Sequence, residues 1–391
     1  MEKSREFNIL HIVKYICICT IGSAVLMAAK DLREAADNNV LTINVATIFA
    51  YMIMMVYSLC YAEIKEIFHE EGGDFVYIGK FYNETVASIF SLSILLLSGP
   101  GVNTIFMCEM MGVYGIEPGY IKHICIVIGA LLVSPLCLIP PQIKGPIVKY
   151  LGLLQQLFLV LILVSLPLSM VFTNNKIHTN DNVIQGEPTF LRFIDTLSCI
   201  YFSYVGFNEG NSMHRNQTGP LFKPYMISTT VLFLIYDLFI NLFLIIYRND
   251  SSEIKYKNVL GFLGSADVYV YRILCTVLYS LPFIGLSFLI SNNMNYLMAK
   301  YKLNNKIKYL IVLVMMGLNV MFNYIGVKVV MNIVCAVMIF FSTLSMAGII
   351  KYKYQHKDYK SKIPMSFVYL GVVFGCMMFT LNIAGTIRQS L

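Results

Sequence analysis

The chain is 391 residues long, 57% hydrophobic and 13% charged, with a mean hydropathy of +0.68 and a net charge of +7. A soluble domain carries about 25% charged residues. Here uncharged runs near the roughly 20 residues needed to cross a bilayer recur from end to end, which excludes an ordinary soluble protein. No separate basic domain exists, so the positive charge is assigned to loops at one membrane face rather than to nucleic acid.

Eleven apolar spans are predicted, beginning near residues 12, 41, 85, 121, 148, 194, 225, 270, 308, 328 and 364. Eight are long and uncharged: 39–62, 85–108, 124–143, 150–175, 273–299, 309–327, 329–350 and 363–387. Three are weaker: 15–29, 196–208, and 224–247, which Asp237 interrupts. The first span has no small-residue cleavage site and leads straight into others, so a cleaved signal peptide is not expected. Most lysines and arginines fall on one side when the N-terminus is placed inside, and this sets the orientation. An odd number of spans then puts the C-terminus outside.

Between the second and third spans lies LCYAEIKEIFHEEGGDFVYIGKFY, residues 59–82. Gly72 and Gly73 allow a sharp turn there. Glu63, Glu66, Glu70, Glu71 and Asp74 are expected to stay wet on the inner side, facing basic residues of neighbouring loops. A solvated connector and part of a gate are both open readings.

The two shortest apolar segments are the first and the sixth, five spans apart. Each has small residues where a helix should be continuous: TIGSAV (20–25) and YVGFNEGN (204–211). Inverted-repeat transporters place their substrate site at such a pair of interrupted helices. An unwound turn at Gly22, Ser23 and Ala24 offers N–H groups to a carboxylate. Carbonyls freed near Ile21 and Phe202 can accept from an ammonium group. Irregular backbone at that depth is tolerated where it lines a cavity. An α-amino acid carries both charges on one carbon and matches such a site. The simpler alternative is that the glycines only let helices pack closely.

These motifs also resemble a known family. LCYAEI…GGDFVYIGKFYN is similar to the end of helix 2 and the following loop of the L-type amino acid transporters, within the amino acid–polyamine–organocation superfamily. IGSAV is similar to that family's IGSGI, and FSYVGFNEGN to its FAYGGWNYLN. Pro100 falls where the third helix carries a proline, and PFIGLSFLISNNMNYL fits the eighth helix. The resemblance implies an all-α polytopic fold with a five-plus-five inverted repeat and broken helices 1 and 6. The repeats would cover 12–172 and 194–350, with an extra helix at 364–387. It further implies alternating access, sodium-independent amino acid exchange and no enzymatic activity. Ile21, Gly22, Ser23 and Ala24 would hold the substrate's charged groups, Phe202 would cap the site, and Val205, Gly206, Phe207 and Asn208 would shape the side-chain pocket.

Departures from the family pattern refine the expectation. Ala24 replaces a second Gly, and Val205 replaces a residue that is often Gly, which shrinks the pocket toward small or medium neutral amino acids. Glu209 stands at an uncharged position and belongs to the site or pairs with Arg215 or Lys223. A cationic amino acid or polyamine carrier, and a nontransporting amino acid sensor, remain as alternatives. Asp237 is expected to be satisfied against a neighbouring helix, with a proton relay as the other reading; Glu109 is a further isolated acid. Gln155 and Gln156 stand where relatives carry a lysine in place of sodium. Asn292, Asn293 and Asn295 serve either a site or packing.

The ten cysteines lie in or beside spans with no CxxC pair, and are expected to fill helix contacts as free thiols. No metal or cofactor is implied. Partners are an amino acid substrate and the lipid bilayer. The outer loop at 112–122 has no cysteine for a covalent heavy chain, while a noncovalent partner stays open. A sequon at Asn249 lies in an outer loop. A plasma-membrane location is expected ahead of an internal one.

Overall fold

The computed structural model describes residues 9–20, 32–68, 73–116, 187–204, 206, 221–246 and 268–390, with Ile124, Leu138, Tyr150, Leu154 and Leu157 as isolated positions. Every regular element among the described residues is helical. In chain order these are α1 (Ile9–Thr20), α2 (Val40–Phe68), α3 (Asp74–Phe81), α4 (Glu84–Ser93), a π-helical turn (Ile94–Ser98), α5 (Gly99–Val113) and α6 (Phe190–Ser203). They continue as α7 (Phe222–Ile246), α8 (Val268–Tyr301), α9 (Lys306–Ile325), α10 (Val327–Gln355) and α11 (Met365–Ser390). Nine of the eleven predicted spans thus have a helix at their place, and each helix starts within a few residues of the expected point. The fourth and fifth spans fall almost wholly outside the described residues.

Among the described residues six helical stretches are long and apolar enough to cross a membrane: Val40–Phe68, Glu84–Val113, Phe222–Leu242, Lys306–Ile325, Val327–Gln355 and Met365–Ile387. The chain is an integral multi-pass membrane protein. Its helix starts follow local chemistry. Asn39 Oδ1 accepts from the Thr42 amide at 2.8 Å, Asn83 Oδ1 from that of Val86 at 2.9 Å, and Thr189 Oγ1 from that of Arg192 at 3.3 Å. Each thereby satisfies an orphan N–H of a first turn. The third span stays continuous through Pro100 by widening. Proline removes a donor and crowds the preceding turn, and the π turn at Ile94–Ser98 absorbs the mismatch, with the Gly99 amide reaching back to Ile94 O.

α10 lies at the centre of the packing, touching α2, α3, α5, α6 and α11. Two glycines set how close its neighbours come. A Cβ on Gly348 of α10 would sit 2.3 Å from the Phe81 ring of α3. One on Gly375 of α11 would sit 1.9 Å from Thr343 Oγ1 of α10. The main core runs through α1, α2, α6, α7, α10 and α11; a second cluster of Leu95, Leu286, Ile290, Met294, Leu297 and Met315 joins the π turn to α8 and α9. Polar side chains add cross-links. Asn103 Nδ2 on α5 donates to Asn319 Oδ1 on α9 at 3.0 Å, and Ser58 and Thr229 hydroxyls lie 2.5 Å apart between α2 and α7. Five of the described cysteines (Cys17, Cys60, Cys108, Cys275 and Cys335) are buried free thiols, as expected, whereas Cys376 is exposed.

The connector after α2 departs from expectation. Glu63 and Asp74 do not stay wet: they are 0% and 5% exposed. Glu63 is in reach of three donors from the loop between α10 and α11: Tyr359 OH at 2.6 Å, Ser361 Oγ at 2.7 Å and the Lys362 amide at 3.1 Å. Glu66 pairs with the Lys362 ammonium. Asp74 Oδ1 accepts from Ser345 Oγ on α10 at 3.3 Å. The physical reason is that the 356–362 loop folds over Glu63 at the end of α2, while residues 74–81 form a helix that docks on α10 and draws Asp74 inward. Gly73 serves as its N-cap with φ −76°, a backbone any residue can adopt. Glu70, Glu71 and Gly72 lie outside the described residues.

Candidate functional site

α1 is described as far as Thr20, where the first predicted break begins. Ile21, Gly22, Ser23 and Ala24 lie outside the described residues. α6 ends at Ser203, where the Tyr204 amide turns back to Tyr201 O at 3.0 Å. Gly206 then takes φ +105°, a conformation that side chains with a Cβ rarely adopt. The helix therefore stops inside the second predicted break. Phe202 is buried in the last turn of α6. Val205, Phe207, Asn208 and Glu209 lie outside the described residues, as do Arg215, Gln155, Gln156 and Asn249.

One side chain joins the two helices. Tyr236 of α7 is buried, and its hydroxyl lies 3.2 Å from Thr20 O and 2.5 Å from Ser203 O. Ser203 O belongs to the last turn of α6, whose carbonyls have no partner further along the helix, and Thr20 is the last described residue of α1. A phenol has one proton to give, so it serves these two acceptors in turn or shares between them. The last described residue of α1 and the end of α6 therefore meet at this phenol. Ring packing fixes the phenol there: Tyr204 meets Tyr236 edge-on with centroids 5.0 Å apart.

Two further hydroxyls in this region, Ser203 Oγ and Tyr204 OH, are buried and meet no hydrogen-bond partner among the described residues. Buried polar groups in native structures are normally paired with protein or ordered solvent. A cluster of unpaired hydroxyls beside carbonyl-rich helix ends is chemically suited to a small polar ligand with an ammonium group. The tyrosine-rich surroundings continue outward, with Tyr57 of α2 edge-on to Tyr201 at 6.2 Å and Tyr61 OH 3.3 Å from Ser342 Oγ of α10.

Tyr236 was not singled out by the sequence. Its neighbour Asp237 drew attention because a charge in a span is conspicuous, while one more tyrosine among 26 is not. Among the described residues the Asp237 carboxylate accepts from Asn241, one turn along α7, at 3.1 Å. On α8, Asn293 is buried, with Nδ2 bonded to Leu289 O at 2.8 Å and Oδ1 unpaired. Asn292 and Asn295 are half-buried. This helix packs on α4, the π turn and α5.

The chain was compared with known proteins. Among curated proteins none matches it. The family model described as amino acid permease matches residues 13–305, from the first span through the end of α8. That region holds both predicted breaks, Tyr236 and the buried acids Glu63 and Asp74. With most of its length matched, the chain belongs to the amino acid permease family, within the amino acid–polyamine–organocation superfamily.

Proposed function

We propose that this protein is a sodium-independent, L-type exchanger of small to medium neutral amino acids, working by alternating access. Amino acid permeases as a family carry amino acids across membranes, which sets the general reaction. The observation that supports the specific reading is the meeting of α1 and α6 at Tyr236. An α-amino acid needs an anion site and a cation site about one carbon apart. The residues after Thr20, beginning with Gly22 and Ser23, supply N–H groups for the carboxylate. Carbonyls at the ends of α1 and α6 supply acceptors for the amine. Binding the amine then competes with Tyr236 for the same carbonyls, which couples ligand arrival to the packing of the two half-helices. Val205 and Ala24 narrow the pocket, favouring alanine or leucine over tryptophan. The repeats would span 12–172 and 194–350, with the N-terminus in the cytoplasm and α11 outside the repeat.

Reconstitution tests this directly. The purified chain in vesicles preloaded with mixed amino acids should take up radiolabelled leucine and alanine without sodium, and empty vesicles should not. Uptake into empty vesicles would refute exchange. Tryptophan uptake equal to leucine would refute the narrowed pocket. Binding without any uptake would replace transport with sensing.

A further inference from the structure

At the end of the bundle that carries the α8–α9 and α10–α11 loops, lysines fall into two groups. One group is used internally. Lys300 Nζ donates to Glu84 O at 2.6 Å and to Ser88 Oγ at 3.0 Å. Lys351 sits 4.9 Å above the Tyr82 ring, Lys353 bonds the Tyr359 carbonyl, and Lys362 pairs with Glu66. These contacts also show that both loops share one end, because Tyr82 and Glu84 adjoin each other at the start of α4. The second group, Lys302, Lys306, Lys308, Lys357 and Lys360, has no acidic partner among the described residues; Asp358 is the sole acid interspersed with them. Four of the five are exposed, and Lys308 is half-buried.

Exposed tyrosines are interleaved with this second group: Tyr301 at 51%, Tyr309 at 66% and Tyr354 at 72%. Tyr309 and Tyr354 stand at the ends of the membrane-crossing helices α9 and α10, and Tyr301 at the end of α8. Aromatic side chains with a polar tip settle at headgroup depth, which places the neighbouring ammonium groups among lipid phosphates. Clusters of lysine at the end of a span attract anionic lipid. Among the described residues the acids at this end, Glu66 and Glu84, are matched by the first group of lysines, which leaves the second group open to an external anion.

We infer that Lys302, Lys306, Lys308, Lys357 and Lys360 form a binding surface for the headgroups of anionic phospholipids in the adjoining leaflet. The two loops act together: α9 begins at Lys306, α10 ends at Gln355, and a negatively charged lipid patch would bridge them. This inference depends on the chain lying in a membrane and not on which substrate it carries.

The chain contains no tryptophan, which allows a clean optical test. Tyr309→Trp places a single donor beside the lysines. Tyr324→Trp places one at the far end of the same helix, roughly 22 Å away at the α-helical rise. Each variant is reconstituted in phosphatidylcholine vesicles carrying either dansyl-phosphatidylserine or dansyl-phosphatidylcholine, and energy transfer is read. The Tyr309→Trp donor should transfer about fivefold more strongly to the serine lipid, the preference one lysine at an anionic surface supplies. That preference should shrink with added salt and be missing from Tyr324→Trp. Replacing the five lysines with glutamine should abolish it, and replacing them with arginine should keep it. Equal transfer to both lipids would overturn the inference, as would a preference that persists in the glutamine variant or appears equally at Tyr324→Trp. Loss of the preference in excess free glycerophosphoserine would overturn it too, by showing a soluble phosphate site instead. Should the glutamine variant fail to fold, the serine-versus-choline comparison in the lysine protein still decides.

Discussion

Residues 32–39 and residues 356–362 are both short connectors that use charged side chains to hold neighbouring helix ends, at opposite ends of the bundle. They do it in different media. At residues 32–39 the ties are exposed ion pairs: Asp37 with Arg192 of α6 at 2.6 Å, and Glu34 with Lys328 of α10 at 3.2 Å. Their side chains are 33–61% exposed. At residues 356–362 the central acceptor is Glu63, wholly buried and surrounded by three donors. Exposed ion pairs are worth about 0–1 kcal/mol, because water competes for both charges. A buried carboxylate stripped of its donors costs several times more, because nothing replaces them. One end of the bundle is therefore fixed to α2 by a buried charged tie, whereas at the other the ion pairs contribute little beside the buried Leu32 and Ala36. On the proposed alternating-access reading, such a difference between joints would put the easier opening at the end that carries Asp37.

The largest expected effect breaks the buried end. Glu63→Ala leaves the Tyr359 and Ser361 hydroxyls and the Lys362 amide without an acceptor, and should lower unfolding stability by roughly 3 kcal/mol. Thermal unfolding of the purified protein in detergent measures it. Asp37→Ala in the same assay should cost no more than about 1 kcal/mol; equal losses would erase the contrast between the ends. Alkaline pH offers a second way in. Burial raises the Tyr359 phenol, and the Glu63 carboxylate raises it further, well above its ordinary value. A raised folded-state pKa stabilises below the free value, near 10, and the contribution is lost as pH rises through the folded one. The tie should thus hold across the neutral range and loosen only under strong alkali. Tyr359→Phe should remove that alkaline component.

Packing reinforces the same end and comes next in size. Gly348→Ala drives a methyl into Phe81 and should lift α3 from α10, at about 1–3 kcal/mol. Gly375→Ala forces α11 away from Thr343 with a similar loss. Gly317 on α9 is the control. A Cβ there has nothing within 4 Å, so Gly317→Ala should stabilise the helix by up to about 1 kcal/mol. A loss at Gly317 matching those at the other two would mean that helix flexibility, rather than close approach, sets these costs.

Between the two ends lies the α1–α6 junction, where the expected effect falls on rate. Tyr236→Phe keeps the ring against Tyr204 and removes one hydrogen bond worth about 1 kcal/mol, so exchange should change by roughly fivefold. The unfolding midpoint should move far less than in Glu63→Ala. A large stability loss with unchanged exchange per folded molecule would make Tyr236 a structural strut and nothing more.

Much of this was legible in the sequence, for reasons that can be named. Apolar runs mark spans because a bilayer demands continuous helix, and Gly206 marks a break because its backbone excludes other residues. The buried acids were not legible. Glu63 lies in a charged, hydrophilic stretch that reads as solvated, and its donors arrive from residues about 300 positions later. Tyr236 was invisible for the same reason: its importance lies in two carbonyls, and backbone atoms leave no trace in residue identity. The π turn before Pro100 sits between these cases, since the proline signals disturbance without saying how the helix resolves it.

The smallest expected effect tests the exposed end most finely. Asp37→Asn, Arg192→Gln and the double variant form a cycle whose coupling should be about 0.5 kcal/mol and should shrink as salt is raised. Such a coupling is too weak to matter for folding, yet it bears on the joint that alternating access would open. If the pair acts as a latch, each single variant should shift the exchange rate in the same direction as added salt, because both weaken the same contact. The double variant should then show no further response to salt at this site. A coupling near that of a buried pair, unaffected by salt, would mean that this end is held as firmly as the one at Glu63. In that case the easier opening would have to lie elsewhere in the bundle.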